Sequence, residues 1–120
     1  MSVLLANGHT QVRWALRTVL KEEPDLTVIG EVSDSKDLLA QAQILRPELI
    51  LLEWELLGPA AGRLLAALCD LDVPTKVIVL SRQPECEGAA LAAGADAFVS
   101  KANGDGPGQF LALLHRLVES

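Results

Sequence analysis

The sequence predicts an α/β domain in which a doubly wound, five-stranded parallel sheet carries helices on both faces, a three-layer α/β/α arrangement. Three observations predict it. Short apolar runs alternate with amphipathic stretches five times along 120 residues. The run Val77-Ile78-Val79-Leu80 has no polar alternation, as a strand covered on both faces requires. Half of the residues are hydrophobic but only 3% are aromatic, so the core has to be built from Leu, Val, Ile and Ala. The length suits one domain, taken as residues 1–120, with roughly two thirds of its extended surface buried and no need of staples.

Taken in order, Val3-Leu4-Leu5-Ala6 reads as a strand, and Gln11 to Glu23 follows as a helix with Val12, Ala15, Leu16, Val19 and Leu20 on one face. Pro24-Asp25 breaks that helix, and Leu26 to Gly30 gives a β-branched strand. Ser33 to Ile44 then carries Leu38, Leu39 and Ala42, with Leu45 just beyond, along a second helical face. Leu49 to Leu52 is the third strand, followed by a Gly58-Pro59 loop and a helix through Leu64, Leu65 and Leu68. After the strand Val77–Leu80, a short Ala-rich helix runs from about Pro84 to Ala93 and stops at Gly94. Ala97-Phe98-Val99 makes the fifth strand, and the loop from Asn103 to Gly108 opens a last helix with Phe110, Leu111, Leu114, Leu117 and Val118 on its inner face.

Composition excludes several classes. Ten Lys and Arg against sixteen Asp and Glu leave a net charge of −6 without long runs of one sign, which argues against direct nucleic-acid binding by this segment. No apolar stretch approaches the ~18 residues that span a bilayer, and MSVLLANGHT lacks the basic start and apolar run of a signal peptide. A cytoplasmic domain without membrane contact is expected. Cys69 and Cys86 are too few for a disulfide framework or a four-ligand zinc site and are read as reduced. The glycines of Asn103–Gly108 lack the Lys-Ser/Thr of a phosphate-binding loop and follow the last strand rather than the first, so they read as a helix entry. No Ser/His/Asp or Cys/His constellation stands out, and His9 and His115 read as surface residues.

A parallel sheet does its chemistry at the carboxyl ends of its strands. Asn7, Gly8, Glu53, Ser81 and Lys101, each at or just past a strand end, are therefore the candidate site residues. The segments VLLANGHTQVRWALRTVL, TVIGEVSDSKDLLAQAQILRPELILLE, KVIVLS and LAAGADAFVSK resemble those of response-regulator receiver domains over essentially the whole chain. The resemblance is carried most specifically by RPELILLE, the strand-ending Ser81 and GADAFVSK, which ends at Lys101. His9 and the GEVSDS segment resemble the DNA-binding NarL/FixJ-type subgroup. The resemblance implies a flavodoxin-like (CheY-like) fold, and phosphotransfer from a histidine kinase to an aspartate at the end of the third strand, assisted by Mg²⁺.

The departures fall on that chemistry. Asn7 and Gly8 stand where the family has an acidic pair, and Glu53 stands where it has the phosphoacceptor aspartate. Mg²⁺ wants hard, largely anionic oxygen ligands, and Asn7 offers one neutral carbonyl oxygen while Gly8 offers no side chain. The expectation is one carboxylate, no bound Mg²⁺ and no catalytic residue. The extra methylene of Glu53 displaces a nucleophile by ~1.5 Å, costly for in-line attack, but it also lets the carboxylate imitate a phosphoaspartate with one negative charge. Lys101 either pairs with Glu53 as an ordinary ion pair or holds a locked, active-like state.

The resemblance places Ser81 as the hydroxyl that follows the phosphoryl group and Phe98 as the aromatic switch. Read as residues, Ser81 caps the next loop and Phe98 is core. Trp54 is an interface anchor or is partly buried against its loop, and Trp14 lies at the edge of the first helix's buried face. The fourth helix should be curtailed, because Ser81 to Phe98 is about two residues shorter than the family's usual stretch. The expectation is a degenerate pseudo-receiver in a two-component pathway. It would act through a protein partner such as an output domain or a histidine kinase, or as a homodimer, through its fourth helix, fifth strand and fifth helix. The rivals are a genuine phosphoacceptor and a sensor of small anions.

Overall fold

The computed structural model describes residues 1–70 and 75–100. The element order is β1 (Ser2–Ala6), α1 (Thr10–Lys21), β2 (Thr27–Val32), α2 (Ser35–Leu45), β3 (Leu49–Glu53), a 3-10 segment (Trp54–Ala60), α3 (Ala61–Cys69), β4 (Lys76–Ser81), a 3-10 turn (Pro84–Cys86), α4 (Glu87–Ala92) and β5 (Ala97–Ser100). All strand pairs are parallel, in the order β2-β1-β3-β4-β5. The expected last helix, the Asn103–Gly108 loop, Lys101 and His115 lie outside the described residues.

Side-chain alternation along the strands sorts the core into two layers. Leu4, Ala6, Ile50, Leu52, Val77 and Val79 face one side, where they meet Leu38 and Ala42 of α2, Leu65 and Leu68 of α3 and Ala90 of α4. Val3, Leu5, Leu49, Leu51, Ile78 and Leu80 face the other and meet Leu20 of α1. Because both faces of β1, β3 and β4 are covered, their apolar residues run without a break, the signal that predicted the sheet.

Local chemistry sets the ends of the helices. The Asp34 carboxylate accepts the Asp37 N–H at 2.9 Å, capping α2 at its start, and Arg46 turns left-handed (φ 48°) to end it ahead of Pro47. Boundaries differ from the sequence reading where the ladder decides them. β2 continues to Val32 because Ala6 of β1 pairs there. The stretch expected as a loop at Gly58-Pro59 is a 3-10 segment kinked at Gly58 (φ 64°), a turn conformation that needs glycine. The expected helix from Pro84 divides into a 3-10 turn and a six-residue α4, so the fourth helix is indeed short.

Candidate functional site

The carboxyl ends of β1, β3 and β4 bring Asn7, Gly8, Glu53 and Ser81 to one end of the sheet, since parallel strands all point the same way. Asn7 is fully buried and pinned. Its N–H donates to the Val32 carbonyl at 3.1 Å, its carbonyl oxygen accepts from Arg13 Nη1, and its side-chain Oδ1 accepts the His9 N–H at 2.8 Å. Asn7 Nδ2 is buried with no hydrogen-bond partner among the described residues. Such an orphan donor costs about 1–3 kcal/mol of desolvation.

Glu53 ends β3 and is 7% exposed. Its Oε2 lies 3.8 Å from His9 Nε2, within ion-pair reach when that imidazole is protonated. His9 is exposed, as the sequence suggested, but its place at the start of α1 leans it over the carboxylate. Gly8 leaves room beside Glu53: a Cβ there would sit 3.6 Å from Leu56 Cδ1 and 4.0 Å from Glu53 Oε1.

Sequence reasoning missed Glu55. Its Oε1 accepts the Ser81 hydroxyl at 2.6 Å and the Arg82 N–H at 3.1 Å, while Ser81 Oγ accepts the Gln83 N–H at 3.0 Å. Ser81 therefore caps the loop after β4, and its proton is committed to Glu55. The signal was present as a second carboxylate two residues past Glu53, where a 3-10 turn returns the side chain toward β4. A cavity of about 80 Å³ is lined by His9, Glu53, Glu55, Ser81 and Arg82. The expectation of a single carboxylate is corrected to two, one of them already carrying two hydrogen bonds. Among the described residues no group of three or more His, Cys, Asp or Glu is arranged to hold a metal.

Phe98 is half-buried and packs on the core face shared with α3 and α4, and Trp54 is likewise half-buried against that core. Trp14 is 62% exposed, well outside the buried face of α1. Cys69 and Cys86 are free thiols. The Cys69 sulfur is tucked toward Gly94, 3.4 Å from its carbonyl oxygen. Burial first, and then the charges of Asp96 and Asp70, raise its thiol above the ordinary 9.0. No described helix is long and apolar enough to cross a membrane.

Comparison with known proteins agrees with this fold. The nitrate/nitrite response regulator protein NarL of Escherichia coli (strain K12) is 29% identical over 102 residues, covering 83% of this chain and 47% of that protein. The transcriptional regulatory protein LiaR of Bacillus subtilis (strain 168) is 34% identical over 79 residues, covering 66% of this chain and 37% of that protein. The chain thus spans half or less of the length of these relatives. The isolated REC domain of RcsB from Salmonella enterica serovar Typhimurium, solved with phosphomimetic BeF3⁻, shares the fold with a TM-score of 0.88 at 22% identity, covering 100% of this chain and 89% of that one. A LuxR-family two-component response regulator from Aurantimonas sp. SI85-9A1 does so with a TM-score of 0.87 at 18% identity, covering 98% and 84%. The model of the response regulator receiver domain matches residues 3–108, and the chain belongs to that family.

Proposed function

We propose that this receiver domain transmits its signal by protein contact and without acquiring a phosphoryl group, as a pseudo-receiver. One observation carries the reading: Asn7 offers a single neutral side-chain oxygen, which already accepts the His9 N–H at 2.8 Å, so the end of β1 supplies no anionic ligand for a cation. Gly8 adds no ligand, and Glu55 Oε1 already accepts two hydrogen bonds. Glu53 alone falls short of the anionic oxygen set that Mg²⁺ prefers. Without that charge, phosphoryl transfer lacks most of its transition-state stabilisation.

Glu53 then supplies a permanent carboxylate at the sheet end, and Glu55 holds the Ser81 hydroxyl that the family resemblance assigns to the phosphoryl group. Both support a site fixed in one state. No residue here carries catalysis, and no resident cofactor is part of the reading. The partner is an output domain, a sensor kinase or a second receiver, in a cytoplasmic signalling pathway. Incubation with acetyl phosphate and Mg²⁺ followed by intact mass measurement tests the reading. No mass change is expected, and a gain of one phosphoryl group overturns it. The buried Asn7 Nδ2, unpartnered among the described residues, favours a second reading, a small-anion sensor. Thermal shift with inorganic phosphate and nucleotides would reveal it.

A further inference from the structure

Among the described residues the sheet has two edge strands, β2 and β5, and the apolar exposure gathers at the first. Among the described residues β2 pairs only with β1, so its outer edge presents backbone donors and acceptors that no described strand takes up. Natural edges are blunted by charge or cover, yet three of the four large apolar side chains exposed among the described residues lie on this strand or on the helices that pack against its two faces. Ile29 lies on β2 and is 37% exposed. Trp14 stands on α1 at 62%, and Ile44 at 71% stands on α2, which packs against β2.

A groove of about 610 Å³ runs between α1 and the start of β2, lined by Trp14, Arg17, Lys21, Leu26, Thr27 and Val28. Its lining holds two cations and no carboxylate. α1 as a whole carries Arg13, Arg17 and Lys21 and no acidic residue, within a chain of net charge −6. The one carboxylate of β2, Glu31, is neutralised by Arg13 at 3.2 Å and Arg17 at 3.1 Å. Lys21 has no ion-pair partner among the described residues.

We propose that this edge and groove form a docking site for an extended, acidic segment of a partner protein. The segment adds to β2 as a further strand. Its main chain satisfies the open edge, while alternate side chains place apolar groups on Trp14 and a carboxylate beside Lys21. Charge selects this occupant over a second copy, because strand-to-strand pairing of two β2 edges would bring two carboxylate-free α1 helices side by side. The hydrogen-bonding edge selects a peptide over a lipid surface or a nucleic acid, neither of which offers a strand's spacing of donors and acceptors. The groove opens at the amino end of β2, away from Glu53, so the inference does not depend on the phosphorylation reading.

The test uses the ¹⁵N-labelled 120-residue chain titrated with a capped octapeptide of alternating glutamate and valine. The same peptide with lysine for glutamate, phosphatidylglycerol vesicles and an oligothymidine serve as comparison arms. The expected result is saturable, salt-sensitive binding of the glutamate peptide, with shifts confined to residues 14–21 and 26–32 and to the Trp14 indole. Lys21→Glu and Trp14→Ala should each weaken it about tenfold. Both positions are exposed, so folding is expected to survive, and the dispersion of the amide spectrum checks it in each variant. Absence of saturation at millimolar peptide, an equal response to the lysine peptide, shifts elsewhere, or binding of vesicles or oligothymidine in place of the peptide overturns the proposal.

Discussion

The Ser81 hydroxyl donates to Glu55 at 2.6 Å, so the residue that closes β4 is tied to the turn that follows β3. The same oxygen of Glu55 also takes the Arg82 N–H. A charged acceptor serving two donors is stronger than a neutral one. Glu55→Ala should therefore cost about 1.5 kcal/mol, and Ser81→Ala a similar amount because the Gln83 N–H loses its acceptor. In a double-mutant cycle by urea denaturation the two should couple by about 1 kcal/mol. Additive costs would mean that the 2.6 Å contact contributes nothing of its own.

Gly94 follows α4 with φ 117°, and a Cβ on it would come within 2.7 Å of the Cys69 sulfur. Gly94→Ala meets both a backbone penalty and a clash with α3, and should destabilise by about 2 kcal/mol or more. Replacing Cys69 by Ala in the same chain should return part of that loss. A thermal melt of the single and double variants separates the backbone part from the contact part.

The Cys69 thiol titrates above its ordinary 9.0. At pH 8 its alkylation by iodoacetamide should be slower in the native chain than in guanidinium, because less of it is thiolate. Since the folded value is raised, the stability linked to the neutral thiol is complete below the unfolded value near 9 and is lost as pH rises through the folded one. The Cys69→Ser variant should lack that part of the alkaline decline, which paired melts across the range display.

Rebuilding the acidic set should restore cation binding. Asn7→Asp and Gly8→Asp add two carboxylates, and a Cβ at Gly8 meets its neighbours at ordinary contact distances of 3.6–4.0 Å. Together with Glu53→Asp they should give calorimetric Mg²⁺ binding near millimolar, where the unaltered chain is expected to give none. Failure of the triple variant to bind would show that the site's geometry, rather than its ligand types, excludes the ion.

Much of this was legible because each strand end is announced twice, by the apolar run that stops and by the polar residue that follows. Asn7, Glu53 and Ser81 were located in that way, and all three sit at one end of the sheet. Pattern alone could not show which atoms meet. Asn7 is neutral by composition, but only the turn after β1 shows that its Oδ1 accepts the His9 N–H. Glu55 looked like a solvated charge because a 3-10 turn has a different period from the helix that the pattern anticipates. Trp14 sits one residue off the helical stripe, and only the unpaired side of β2 gives that placement a use.

During synthesis β1 leaves the ribosome first, yet its native neighbours are β2 and β3. Val3 to Ala6, wholly shielded in the finished fold, must wait with one side unpaired until Glu53 has emerged, several seconds at ordinary translation rates. The nascent chain is thus sticky for longer than an antiparallel hairpin of the same strands would be, and its yield in the cell should track chaperone supply more closely than its final stability does.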